Sequence, residues 1–413
     1  MGAKLKFLSL LVAGIVAGAA TAAAAPLNPG AFFYKMDVVF SGYAGTTTLT
    51  DFPALVKLSE TIPGFQYSQF ASGAGADLRF ADAAGNELNY EIEDWDTSGD
   101  SCVWVQVPSL SGAATTITAY WGNPDATTPP AYTTDGSTWD SNYGAVWHLA
   151  ETVAGDGGTI NDSTANNNDG TTYNGVTTDA TGQIDGADAF DGTNDYISTG
   201  TLAAGSFGDG KGTVEAWIAP DRRSYEYVLD HSRTTGGEDR VGVTWELTSG
   251  ELGAFLRDDG DYAYTWNGFH FDTSSWTLGD WHHVVFSWDK DADHPDHPGD
   301  NMFLYADGEY MHSVAGNTAY FPDAAGVASI ADYYRHNNAA YRIDGSIDEM
   351  RLSNVARSDD WIAASWKTQA QAPADPFAQF GHVILIPEPA AGMIAAVLLG
   401  LFGLLLSRRR RPA

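Results

Sequence analysis

One cysteine in 413 residues, Cys102, excludes any intrachain disulfide, so the fold must rest on its core or on bound ions. Cys102 stands in the apolar stretch Ser-Cys-Val-Trp-Val-Gln-Val, where it reads as a small buried residue rather than a nucleophile. Basic residues are also scarce: 21 Lys and Arg face 53 Asp and Glu, a net charge of −32. Six of those cations (Lys4, Lys6 and Arg408 to Arg411) but only one acid, Glu388, lie in the two ends, so the body between them is more acidic still. That balance argues against nucleic acid as a partner, since binding it needs a basic footprint. The acid serves solubility outside a cell, or calcium binding. No Gly-rich phosphate loop, zinc spacing or nucleophile elbow is present, and no repeat suggests a solenoid or propeller. Helical patterning is nearly absent: the clear soluble candidate is 358–367, with Ser358 as N-cap and Asp359 and Asp360 in the first turn.

What the chain does have is short strand-like runs of Val, Ile, Tyr, Phe and Trp, broken every eight to twelve residues by Gly, Thr, Asp and Asn. Segments 33–40, 54–58, 103–107, 116–121, 212–218, 240–247, 281–288, 302–305 and 347–352 read as strands, and Asp307-Gly308 as a two-residue hairpin turn. Even spacing of this kind predicts an all-β protein built of sandwiches. Pro124, Pro129 and Pro130 mark a linker at 122–142, and Pro373 and Pro376 a second at 368–386. The ends belong to neither domain. Lys4 and Lys6, an apolar run from Phe7 to Ala20 and small residues to Ala25 have the order of a secretory signal peptide, cut after Ala24 (residues 1–24). Residues 390–406 are apolar and uncharged, a transmembrane helix of about 26 Å at 1.5 Å per residue, slightly short of a ~30 Å hydrocarbon core. The arginines after it would stay in the cytoplasm, leaving both domains outside.

Three resemblances follow. Within 31–121, Leu49-Thr-Asp-Phe-Pro53, Gly75-Ala-Asp-Leu-Arg-Phe80, Tyr90-Glu-Ile-Glu-Asp-Trp95 and Val103-Trp-Val-Gln-Val-Pro108 resemble, in that order, the bacterial domain of unknown function 2341. That resemblance implies a β-sandwich in an exported protein and no particular reaction. Within 143–367, Val146-Trp-His-Leu149, Asp162-Ser-Thr-Ala-Asn-Asn-Asn-Asp-Gly170, Ala189-Phe-Asp-Gly-Thr-Asn-Asp-Tyr-Ile197, Thr213-Val-Glu-Ala-Trp-Ile218, Trp281-His-His-Val-Val285 and Gly345-Ser-Ile-Asp-Glu-Met-Arg-Leu352 resemble a laminin-G-like, concanavalin-A-like jelly roll. This second resemblance implies binding of carbohydrate or other surface material, often with a structural Ca2+. Its implied ligands are Asp162, Asn168, Asp169 and Asp348; the same side chains could simply cap turns. Pro387-Glu388-Pro389, the short span and the Arg run (387–411) resemble the Pro-Glu-Pro sorting signal of Gram-negative bacteria. It implies an inner-membrane intermediate, release by an exosortase-type protease, and a final place at the cell surface or in the extracellular matrix.

Other residues carry weaker signals. Tyr262, Tyr264 and Trp266 share one face by alternation, and with Tyr333 and Tyr334 they are the candidates for stacking on sugar; a core strand would show the same pattern. Glu91 and Glu93 alternate onto one face with Asp96 nearby, which suggests paired acid–base chemistry, or a polar sheet face. The acidic run 289–297 has the odd-spaced carboxylates of a calcium loop but lacks its glycine, and His282-His283 point to opposite sides of a strand. The expectation is a non-catalytic surface protein that binds polysaccharide. The alternatives are a polysaccharide hydrolase or lyase, and a purely structural or adhesive component.

Overall fold

The computed structural model describes residues 26–387, apart from 154–155, 203–204, 207–209, 233–239, 246–249, 259–260, 263–268, 295, 317–325, 334–340 and 371–373. The signal segment, Glu388 and Pro389, the span 390–406, and Tyr264, Trp266 and Tyr334 lie outside the described residues. Among the described residues no helix is long and apolar enough to cross a membrane.

The apolar runs become strands because their side chains can be buried on one or both faces of a sheet. In the first domain, one sheet runs in the order Gln379–Phe380, Tyr34–Val39, Thr116–Trp121, Arg79–Ala81, Glu87–Leu88, with Ile384–Leu385 also on Tyr34–Val39. The other sheet holds Leu49–Leu58, Ser101–Leu110 and Tyr90–Asp94. Two expected linkers turn out to be packed structure. Segment 368–386 returns to this domain: Val38 pairs with Phe380, Tyr34 with Leu385, and the fully buried Phe377 sits against Phe40 and Phe52. Its strands span two residues each, too short for alternation to reveal. In segment 122–142, Thr138 and Trp139 are buried between the domains.

The second domain is a jelly roll of two facing sheets. Among the described residues the outer sheet has nine strands, in the order Asp261–Tyr262, Glu251–Asp258, Arg240–Trp245, Glu226–Ser232, Val327–Ile330, Tyr196–Thr201, Gly170–Tyr173, Thr159–Ile160, with His270–Asp272 on the second. The inner sheet runs Thr177–Thr181, Gly186–Asp191, Asp344–Ser353, Lys211–Pro220, His282–Asp289, Met302–Ala306, Glu309–Val314, and Tyr143–Trp147 also pairs with Asp344–Ser353. Trp147, Trp245, Phe286, Met302, Ile330 and Leu352 belong to the core between them. Asp307 and Gly308 both have positive φ (49° and 78°), as the expected hairpin turn requires.

The helix spans Asp359–Ala370, three residues past its expected end, and Ser358 Oγ accepts the Trp361 N–H at 3.3 Å. Trp361 and Ala364 enter the first domain's core, together with Tyr143, Val146 and Ile184 of the jelly roll, while Ile362 packs on Val285, Phe303 and Tyr305 of the inner sheet. One apolar cluster therefore takes in residues of both domains.

Candidate functional site

The interface between the domains is charged at its centre. Glu91 and Glu93 do share one face of Tyr90–Asp94, and that face meets the jelly roll. Trp139 Nε1 donates to Glu91 at 2.7 Å, Trp104 Nε1 to Glu93 at 2.6 Å, and Ser163 Oγ to Glu91 at 2.7 Å. His148 lies among three carboxylates: its Nδ1 is 2.7 Å from Glu349 and 3.5 Å from Glu93, and its Nε2 is 3.7 Å from Glu91. Arg351 bonds to Glu349 and Glu215 and lies under two indole rings, 4.3 Å from Trp104 and 5.0 Å from Trp139. Asp96 stands apart and caps a turn through Ser98.

Burial alone would favour a neutral His148, but Glu349 and Glu93 raise it well above its usual value, which favours the charged ring. Burial and the neighbouring Glu349 push Glu93 up to about 8. Glu349 goes the other way: against burial, His148 and Arg351 hold it ionised. His283, 4.0 Å from Glu215 on the inner sheet, is lowered to about 4 by burial.

A β-bulge aims these groups. Glu215 pairs with Arg351 and Trp217 with Asp348, so the closing strand carries one residue more than its partner. Glu349 takes φ 52°, which costs an L-residue roughly 1–2 kcal/mol. The bulge lets Ile347, Met350 and Leu352 all face the core while Glu349 and Arg351 face the first domain. Sequence reasoning missed Trp104, Trp139, His148, Glu349 and Arg351 as a group. The apolar spacing of three and then two residues at 347, 350 and 352 was the available signal.

The expected calcium ligands do not make one cage. Asp162 accepts the Val146 and Thr164 amides at 2.9 Å, the Thr164 hydroxyl at 2.9 Å and the Asn168 amide at 2.8 Å, so both its oxygens are filled by donors. Asp169 accepts the Asp162 amide, and the Asn168 side-chain amide donates to Gly144 and Ser206. Asp348 caps a different turn, accepting the Gln183 and Ile184 amides at 2.8 and 2.9 Å, and burial holds its carboxyl well above the usual range. The bonds these side chains make are those of turn caps, and Asp348 Oδ1 alone among the Asp162 and Asp348 oxygens has no hydrogen-bond partner. In the acidic run, the Lys211 ammonium sits 2.9–3.0 Å from Asp289, Asp291 and Asp293, where a cation would go. His282 bonds to Asp307 and stacks on Trp276, whereas His283 is buried beside Trp217, as alternation predicts.

The outer sheet presents a different surface. Across its face away from the core, Thr171, Ser198, Ser329, Asp230, Gly242 and Phe255 stand abreast in register. Thr171 and Ser198 are half-buried in this row, whereas Ser329, Asp230 and Phe255 are buried, and a Cβ on Gly242 would come within 2.3 Å of the Phe255 ring. Aromatic rings lie along it. Tyr173 and Tyr196 stack at 4.8 Å, and Tyr173 is 38% exposed. Tyr225, Tyr227, Tyr333 and Tyr341 form a second group at 5.3–5.9 Å, with the Arg240 guanidinium 4.7 Å from Tyr333 and paired to Asp230. Tyr333 is thus one of four clustered rings. Tyr262 pairs with Arg257 at the sheet edge.

A β-sandwich fused through a shared core to a jelly roll with an aromatic-lined outer sheet defines a two-domain all-β protein of concanavalin-A-like type. The family comparisons agree: residues 191–363 match the concanavalin A-like lectin/glucanases superfamily, and residues 74–145 match the domain of unknown function DUF2341. Along the chain the DUF2341 match comes first and the concanavalin A-like match follows it. No curated protein matches the chain. Among solved structures it is similar to the binding domain of botulinum neurotoxin serotype D, with 13% identity and a TM-score of 0.40 over 55% of this chain and 51% of that one. It is also similar to domain 4 of AbnA, an extracellular arabinanase from Geobacillus stearothermophilus solved with arabinotriose, at 16% identity and a TM-score of 0.36 over 54% and 97% of the two chains. The chain spans about half the length of the neurotoxin binding domain (51%).

Proposed function

We propose that the protein is an exported, surface-displayed and non-catalytic binder of polysaccharide, and that the glycan lies across the outer sheet of the jelly roll. The observation that carries this reading is the set of tyrosines along the outer sheet: Tyr173, 38% exposed and stacked on Tyr196, and the group Tyr225, Tyr227, Tyr333 and Tyr341, with the half-buried Thr171 and Ser198 beside the first pair. Sugar rings offer apolar faces to aromatic side chains and hydroxyls to small polar groups, which is the mixture a carbohydrate site needs. The superfamily name, which covers lectins and glucanases, supports the ligand class. The non-catalytic part is supported by Glu91 and Glu93, each of which accepts an indole N–H inside the domain interface, a structural use of both carboxylates.

In this reading the signal at 1–24 exports the chain, the span 390–406 holds it in the inner membrane, and an exosortase-type protease releases it near Pro387. Mass spectrometry of the native protein then finds Arg408 to Arg411 gone; finding them attached would remove that part of the proposal. A glycan array with the purified protein, run with and without a chelator, tests the binding. Binding to a polysaccharide that survives chelation is expected. Reducing-end release from a polysaccharide would favour the hydrolase reading, and no binding at all the structural or adhesive one.

A further inference from the structure

Three groups among the described residues bring three metal-ligand side chains together, their ligand atoms within 4.8 Å of one another: Glu93 with His148 and Glu349, Asp289 with Asp291 and Asp293, and His294 with His297 and Asp359. In the first, Glu349 is already held by the Arg351 guanidinium on one side and the His148 ring, 2.7 Å away, on the other. In the second, the Lys211 ammonium takes the cation's place. The third contains no cation and two imidazoles. Its members come from the acidic hairpin excursion after strand His282–Asp289 and from the first residue of the helix Asp359–Ala370. Because His297 and Asp359 stand 62 residues apart, no ligand spacing in the sequence announces them.

We propose that His294, His297 and Asp359 form a binding site for a borderline divalent transition metal, Zn2+ first among them. The donor set excludes calcium, which takes oxygens, and suits a metal that accepts imidazole nitrogen and carboxylate together. The ligands are also oriented as such ligands are. His294 Nε2 faces the Arg357 carbonyl at 3.2 Å and must donate to it, so the ring's lone pair is on Nδ1, where it accepts the Asp296 N–H at 3.3 Å, a long bond that a metal ion would displace. A ring N–H held by a backbone carbonyl is the usual support of a metal-bound histidine. Tyr305 Oη donates to Asp359 at 2.8 Å, the matching support for the carboxylate. Phe303 lies 4.3 Å from the His294 ring and Tyr310 stacks on His297 at 4.1 Å, so both imidazoles are held by packing. His294 is buried, whereas His297 and Asp359 are 19% and 35% exposed, so an ion has a way in. Ligand atoms around tetrahedral zinc are about 3.4 Å apart, so side-chain shifts of about 1 Å would close the site, with water in the fourth position. The metal would clip the excursion to the start of the helix. The alternative is a metal-free clip made by the His297–Asp359 pair alone, 3.0 Å apart.

The full-length protein, purified without added metal, is titrated with Zn2+ by calorimetry beside His294→Ala/His297→Ala and Tyr305→Phe. The wild type is expected to bind one Zn2+ more than the double variant, and Tyr305→Phe to bind it roughly tenfold more weakly, since support residues contribute 10–100-fold. Equal Zn2+ stoichiometry in wild type and double variant overturns the proposal. Should the double variant misfold, Co2+ added to the wild type decides: visible absorption typical of a tetrahedral nitrogen–oxygen site supports it, and a spectrum of hexaaquo Co2+ overturns it.

Discussion

Replacing Arg351 with methionine tests whether the two domains are one cooperative unit. Arg351 is fully buried, bonded to Glu349 and Glu215 and covered by the Trp104 and Trp139 rings. Glu349 would keep His148 as a positive partner at 2.7 Å. Glu215 would keep no cation among the described residues, because its other ionisable neighbour, His283 at 4.0 Å, is neutral above about pH 4. Leaving one buried charge uncompensated costs about 3–5 kcal/mol, even though replacing the whole pair by apolar groups can be neutral. With a urea slope of about 3 kcal/mol/M, the midpoint should fall by on the order of 1–2 M. Tryptophan fluorescence is the natural probe, since Trp104 and Trp139 report on the interface itself. Adding Glu215→Gln to Arg351→Met should restore roughly half of the loss by removing the orphaned charge. A loss under about 1 kcal/mol, or a Glu215→Gln change whose cost simply adds, would refute this account of the interface.

Two further predictions concern protons. His148 is raised in the folded state, so its contribution is fully present below about pH 6.5 and lost as pH climbs through its folded value; Glu93, raised to about 8, loses its contribution between about pH 4.5 and 8. The melting temperature should therefore fall from pH 6 to pH 9, and fall less in His148→Gln; parallel curves would contradict the assignment. Asp188 is fully buried, neither of its oxygens has a hydrogen-bond partner, and burial pushes it up to about 8. Ionising it costs the folded state a few kcal/mol, so Asp188→Asn should stabilise the protein at pH 9 and change little at pH 5, as thermal melts at the two pH values would show.

Much of the fold could be read from the chain. Thr116–Trp121 and the Asp307-Gly308 hairpin lie where their residues put them, and the ordered motifs located both domains. The uninterrupted run Ser-Cys-Val-Trp-Val-Gln-Val signalled a strand buried on both faces, and Ser101–Leu110 has the sandwich core on one side and Trp104 on the jelly roll on the other. What sequence could not supply was contact between distant segments. Strict alternation would put Ile347 with Glu349 and Arg351; the bulge at Glu349 breaks that period, and the charged interface depends on the break. Asp162 and Asp348 were legible as Asx residues in turns, but which partners fill their oxygens is a property of the folded loop. The tyrosines of the outer sheet come together from four separate segments, and the sequence singled out Tyr333 but not Tyr173, Tyr196, Tyr227 or Tyr341.

The most direct test of the central claim is equilibrium binding of the wild type and of Tyr173→Ala/Tyr196→Ala/Tyr333→Ala to the polysaccharide that the array selects. Each ring should contribute about 1–1.5 kcal/mol, or roughly tenfold, so the triple variant should bind at least a hundredfold more weakly with its melting temperature nearly unchanged. Undiminished binding by that variant would contradict the claim that the outer sheet of the jelly roll is where the glycan lies.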